Sequence, residues 1–191
     1  MTLFAVEGLD ESRRRRLVTI RGVDYSATSR SWLNPPLLGV VGVVVALIIG
    51  PADPLPRQLA VGVGYGSLIF ASSFCHGLGH ILSSRIVNSP MKSLLFTATV
   101  HITHYEDDEG PGREHVGRAL GGPLLNLLLG LTVIAIFTLA LDNHFVLFFA
   151  TVNLLFGAMT LLPIPSLDGA VFLRELKKLR ASRVGHQGTE A

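Results

Sequence analysis

Two histidines, His76 and His80, lie four residues apart in the apolar run FCHGLGHIL at 74–82. On a helix, positions i and i+4 share a face, so both imidazoles can reach one tetrahedral ion. Two ligands do not complete a hydrolytic zinc site, which needs a third protein ligand and an open position for water. A candidate for the third stands in LLPIPSLDG at 161–169, where Pro163 and Pro165 interrupt a helix and Asp168 follows. An aspartate near mid-membrane costs about 3 kcal/mol unless partnered, and non-helical backbone at that depth survives only when buried in protein or lining a cavity. His76, His80 and Asp168 would satisfy one another around a metal. Gly77, directly after the first histidine, has no side chain to accept a proton.

Other residues have plainer readings beside the chemical ones. Cys75 is the single cysteine, which excludes an intramolecular disulfide, and it points about 100° round the helix from His76, away from a shared site. The acidic residues Glu106, Asp107, Asp108, Glu109 and Glu114 offer a substitute base, although acidic runs are usually solvated. His101 and His104, in HITH, would face opposite sides of a strand and so share a metal only in a turn or helix. One of them could instead join the first site as an extra ligand, or the two could form a surface or interfacial pair. For His76 and His80 the plain reading is a hydrogen-bonded pair holding membrane helices together, and for Asn126 and Asn153 it is an interhelical hydrogen bond.

The elements that must carry these residues are membrane spans. The 191 residues are 49% hydrophobic and only 16% charged, too apolar for a soluble domain of this size. Charge-free stretches occur at 31–52, 58–84, 119–141 and 143–167, each long enough to cross a core of roughly 30 Å, which needs about 20 residues of helix. Of the sixteen Lys and Arg, six precede the first stretch, Arg57 lies between the first and second, four lie between the second and third, and five follow the fourth. This asymmetry predicts an integral, multi-pass protein with both termini cytoplasmic, and it accounts for the basic residues without a nucleic-acid partner. The first span follows a long polar segment without a small-residue cleavage pattern, and is read as retained rather than as a signal peptide.

The sequence therefore predicts an all-α polytopic membrane domain over 31–175, with helices at about 35–52, 58–87, 116–141 and 143–163. A cytoplasmic segment at 1–30 precedes it and a tail at 176–191 follows. RRRR at 13–16 and the LVTIRGVDYSATSR after it read as a short strand or a frayed amphipathic segment, and as a solvated topology signal or a site for anionic lipid headgroups. LLFTATVHIT, between the second and third helices, reads as a strand or membrane-dipping hairpin. FLRELKKLRASR reads as a basic helix leaving the membrane. The small residues of the second helix, Gly62, Gly64, Gly66, Ser67, Ala71, Ser72 and Ser73, let neighbours approach closely, and the pairs Gly62 with Gly66 and Gly117 with Gly121 could pair helices between copies. The oligomeric state stays open.

The HxxxH of the second helix, GGPLLNLLLG at 121–130 and LLPIPSLDG at 161–169 come in the order and approximate spacing of the site-2 proteases, intramembrane zinc metalloproteases. The resemblance covers roughly residues 58–175. It implies a site-2-protease-like core, zinc bound by His76, His80 and Asp168, and Asn126 near the site holding an unwound substrate. The family's glutamate after the first histidine activates water; here Gly77 takes its place. Thr160 and Ala170 also depart from the family pattern, at positions that concern substrate handling. General-base catalysis is typically worth about 10²–10⁴-fold, so the expectation is a zinc-binding protein of this fold with weak or absent peptidase activity that binds or sequesters transmembrane segments of other proteins within the lipid. Two alternatives stand beside it: an active protease with a substitute base, and an accessory or structural subunit of a membrane complex. In the second, the histidines would serve packing or hold another ligand such as haem, for which two on one helix face are poor opposite axial ligands.

Overall fold

The structure, a computed structural model, describes residues 14–99, 101–105, 112–140, 143–165 and 167–187. The basic segment ahead of the first span folds as a β-hairpin, β1 (Arg15–Ile20) and β2 (Val23–Ala27). Its two-residue turn has positive φ at both positions, 50° at Arg21 and 81° at Gly22, the mirror-image turn whose twist matches that of the strands it joins. β2 pairs in parallel with β3 (Met91–Phe96), and β3 pairs antiparallel with β4 (His101–Tyr105), giving a sheet ordered β1-β2-β3-β4.

A parallel pair needs a long crossover. Here it is supplied by helices α1 (Asn34–Ile49) and α2 (Leu55–Ile86), which lie between β2 and β3 in the chain. Burial alternates along β2, with Val23, Tyr25 and Ala27 inward. Val23, Tyr25, Met91 and Leu94 pack with Ile81 of α2, and Leu78 and Phe96 flank them. The sheet thus covers the C-terminal part of the helix that carries both histidines.

This sheet corrects the all-α expectation. LLFTATVHIT does contribute a strand pair, but the N-terminal segment adds two more, and their register with β3 could not be read from local pattern.

Three further helices follow among the described residues: α3 (Gly112–Ala140), α4 (His144–Thr160), and α5 (Asp168–Gln187). Helices over Ser31–Ile49, Leu55–Ile86 and Arg113–Ile136 are long and apolar enough to cross a membrane. Val40, Ile48, Val63, Leu128 and Leu131 point outward from them, as lipid-facing side chains do. This is a membrane protein. The fourth expected span, 143–163, is the 17-residue α4, apolar but shorter than those three stretches.

Glycines set the helix contacts. A Cβ at Gly66 would meet the Leu38 carbonyl oxygen at 2.6 Å and Gly39 Cα at 2.7 Å, and one at Gly62 would run into Val43 of α1. Gly79 of α2 similarly abuts Gly121 and Gly122 of α3, while Gly117 faces Val87. The pairs Gly62 with Gly66 and Gly117 with Gly121 are therefore engaged within the chain. Close backbone approach of this kind replaces the hydrophobic drive that lipid removes.

Polar groups add a second tie. Asn126 Nδ2 donates to the Ser72 carbonyl oxygen at 3.3 Å, and Asn153 Nδ2 donates to Ser72 Oγ at 2.9 Å and to the Phe149 carbonyl at 2.8 Å. Helices α2, α3 and α4 meet at one serine, and all three side chains are fully buried.

Candidate metal centre

His76 and His80 emerge one turn apart from the stretch of α2 that the sheet and α3 enclose. Asp168 reaches them from the first turn of α5. The chain arrives there by leaving helical geometry after Thr160, with Pro163 and Pro165 unable to continue it, and re-entering at Asp168. Gly169 is required next to it, because a Cβ there would strike the Leu161 and Leu162 carbonyl oxygens.

The donor atoms converge. His76 Nε2 lies 3.1 Å from Asp168 Oδ2 and 3.1 Å from His80 Nε2, and His80 Nε2 lies 3.4 Å from Asp168 Oδ1. One ligand atom from each of the three residues falls within 4.8 Å of the others. His80 Nδ1 sits 2.8 Å from the Arg118 carbonyl oxygen. A carbonyl can only accept, so Nδ1 carries the proton and Nε2 is left with a free lone pair toward the centre. Burial alone would raise the Asp168 carboxyl, but the adjoining His76 and His80 imidazoles outweigh it and hold the group at about 2, so it is a carboxylate at neutral pH.

Two imidazoles and a carboxylate, with an ordered tautomer on one histidine, are the donor set of a zinc site of the hydrolytic kind, and the residues fit that metal. Room for it comes from α3. A Cβ at Gly122 would lie 2.5 Å from His80 Nε2 and 2.6 Å from His76 Nε2, so this face of α3 has to be bare. The Gly-Gly-Pro run was visible in the sequence, but Gly122's part as the floor of the centre was not, because it depends on which α3 residue faces His76. Arg118, whose carbonyl orients His80, was missed for the same reason; the contact is made by backbone, which leaves no residue-type signal.

Gly77 faces the sheet. A Cβ built on it would lie 3.3 Å from Leu94 Cδ2 and 3.7 Å from Cδ1, and Leu94 is 1% exposed. A β3 side chain therefore stands where a longer side chain at 77 would project.

His101 comes near without joining. Its Nδ1 lies 3.3 Å from Ser73 Oγ, one turn before Gly77, and its ring packs edge-on against Phe96 at 4.6 Å. Burial pushes its imidazole down to about 4, and the nearby His76 pushes it the same way against a hydrogen bond at Ser73. His104, three residues along β4, lies on the opposite strand face, as period-two geometry requires. Among the described residues the converging group is His76, His80 and Asp168, so Cys75, His101, His104 and Glu114 stand outside it. Glu106, Asp107, Asp108 and Glu109 lie outside the described residues. Asn126 bonds Ser72, one helical turn before His76, and makes no hydrogen bond to the three donors; its Oδ1 and that of Asn153 are buried with no hydrogen-bond partner among the described residues.

No protein-family model matches the chain, and no curated protein matches it. Among solved structures it is similar to the Site-2 Protease from Methanocaldococcus jannaschii, with a TM-score of 0.59 and 17% identity over 85% of this chain and 71% of that one. At that identity the likeness concerns the backbone rather than the chemistry. On helix arrangement, sheet and apolar spans together, the chain is a membrane protein with a site-2-protease-like fold.

Proposed function

We propose that the protein binds one zinc ion through His76, His80 and Asp168, has weak or absent peptidase activity because Gly77 replaces the general-base glutamate, and acts by holding transmembrane segments of other membrane proteins. The observation that carries this reading is the convergence of three donor atoms within 4.8 Å on the face kept clear by Gly122, beside a Gly77 backed by Leu94. Zinc bound there would supply Lewis-acid polarisation. The chain's own residues do the rest: His80 is held in one tautomer by the Arg118 carbonyl, Asp168 brings the negative charge, and Gly77 provides no proton acceptor. For a partner segment to meet Asn126, whose buried Oδ1 has acceptor capacity to spare for a backbone N–H, the helices that enclose it would have to part.

The test is elemental analysis of detergent-purified protein. Near one zinc per chain, lost in His76→Ala and in Asp168→Ala, is the expected result. No metal in the native chain, with both variants equally folded, would sink the reading.

A second reading, an active protease with a substitute base, draws on His101, which hydrogen-bonds Ser73 one turn from Gly77. It requires measurable cleavage of a transmembrane substrate by the native chain that is lost in His101→Gln at unchanged zinc content.

A further inference from the structure

The β1–β2 hairpin carries an apolar surface that nothing in the described chain covers. Val18 pairs with Tyr25 and Ile20 with Val23. Cross-strand partners share a sheet face, and here it is the inward one, where Val23 is 2% and Tyr25 9% exposed against α2. Val18 and Ile20 continue that face beyond the helix, yet remain 47% and 49% exposed, with Leu17 at the adjoining bulge 58% exposed.

Its place beside the membrane is defined by one bond. Arg85 Nη2 donates to the Arg21 carbonyl oxygen at 3.0 Å, holding the hairpin turn at the C-terminal end of the spanning helix α2. There Ile86 is 80% and Leu82 52% exposed, so the apolar surface of a span leads toward that of the hairpin. The charge is one-sided: Arg14, Arg15, Arg16 and Arg21 against Asp24 alone within 14–27. A long exposed apolar edge strand in water invites aggregation, whereas a basic and apolar strand at the end of a span suits an anionic bilayer surface.

We propose that the β1–β2 hairpin is an interfacial anchor, setting Val18 and Ile20 into the headgroup–acyl boundary while its arginines engage anionic phospholipid headgroups. Because β2 is hydrogen-bonded to β3, which carries Leu94 beside Gly77, the anchor fixes one wall of the metal centre relative to the membrane.

Trp32 is the single tryptophan, so a reporter can be placed cleanly. The full chain carrying Trp32→Phe with Val18→Trp is reconstituted in nanodiscs of phosphatidylcholine, alone or mixed with phosphatidylglycerol, with and without bromine on the acyl chains. Brominated lipid is expected to remove most of the fluorescence in the anionic discs and less in the zwitterionic ones, and Arg15→Glu with Arg21→Glu should abolish that difference. Thr19→Trp, on the outward face opposite Asp24, should keep its intensity, and Ile20→Trp replaces Val18→Trp if that variant misfolds. Equal intensity with and without bromine, or equal quenching at Val18 and Thr19, overturns the proposal. So does protection that appears only as protein concentration rises, which would mark the strand as a contact between copies.

Discussion

At Gly122 the missing side chain is what lets two imidazoles converge, since a methyl group there would overlap both Nε2 atoms. Gly122→Ala is expected to abolish zinc binding while leaving the helical content intact, as elemental analysis beside circular dichroism would show. Gly77 is a different case. Its neighbour Leu94 is met through side-chain atoms at 3.3 Å rather than through backbone, so Gly77→Glu should fold but find its carboxylate crowded. If the metal centre is otherwise competent, Gly77→Glu with Leu94→Ala should cleave a transmembrane substrate about 10²–10⁴-fold faster than the native chain, and Gly77→Glu alone should gain less. Equal rates for the single and double variants would rule out obstruction by Leu94. His101 adds a pH effect. Its folded pKa, about 4, lies below its ordinary 6.5, so as pH falls between those values the unfolded chain takes up a proton that the folded chain refuses. Metal-free protein should therefore lose stability over that interval, and His101→Gln should flatten the decline in melting temperature relative to the native chain.

Among the elements, α1 and α2 touch backbone to backbone, which makes their contact intolerant of added volume. Gly66→Val would drive a side chain into the Leu38 carbonyl and Gly39, a case of overpacking that costs about 1–3 kcal/mol. A lowered melting temperature in detergent is expected. An unchanged one would mean that α1 moves away freely. The spanning helices were legible because each contains a long run without charge, and the small-residue face of α2 announced close packing before any partner was known. The sheet was legible only in part. LLFTATVHIT has strand composition, but the pairing of β2 with β3 joins segments separated by two helices, and no local pattern encodes such a register. Pro163 and Pro165 foretold the break before Asp168, because proline forbids continuation wherever it falls.

For the whole molecule, the proposed metal would tie α2 to α5, two elements that are far apart in sequence. A ligand that binds the folded state alone stabilises it by about 2.7 kcal/mol at a hundred times its dissociation constant. Chelation should therefore lower the melting temperature of the native chain and leave that of Asp168→Ala unmoved; equal shifts in both would show that zinc is not held at this centre. What the sequence by itself determined was the class of molecule and the shared helix face of the two histidines. Hydropathy marks a membrane protein, and histidines at i and i+4 on a helix must share a face whatever surrounds them. Only the tertiary structure decided that α3 turns Gly122 toward those histidines, that the Arg118 carbonyl selects a tautomer, and that Leu94 lines the space beside Gly77. Those facts rest on helix rotation and strand register, which are set by the packing of whole elements against one another and not by the residues at the contact.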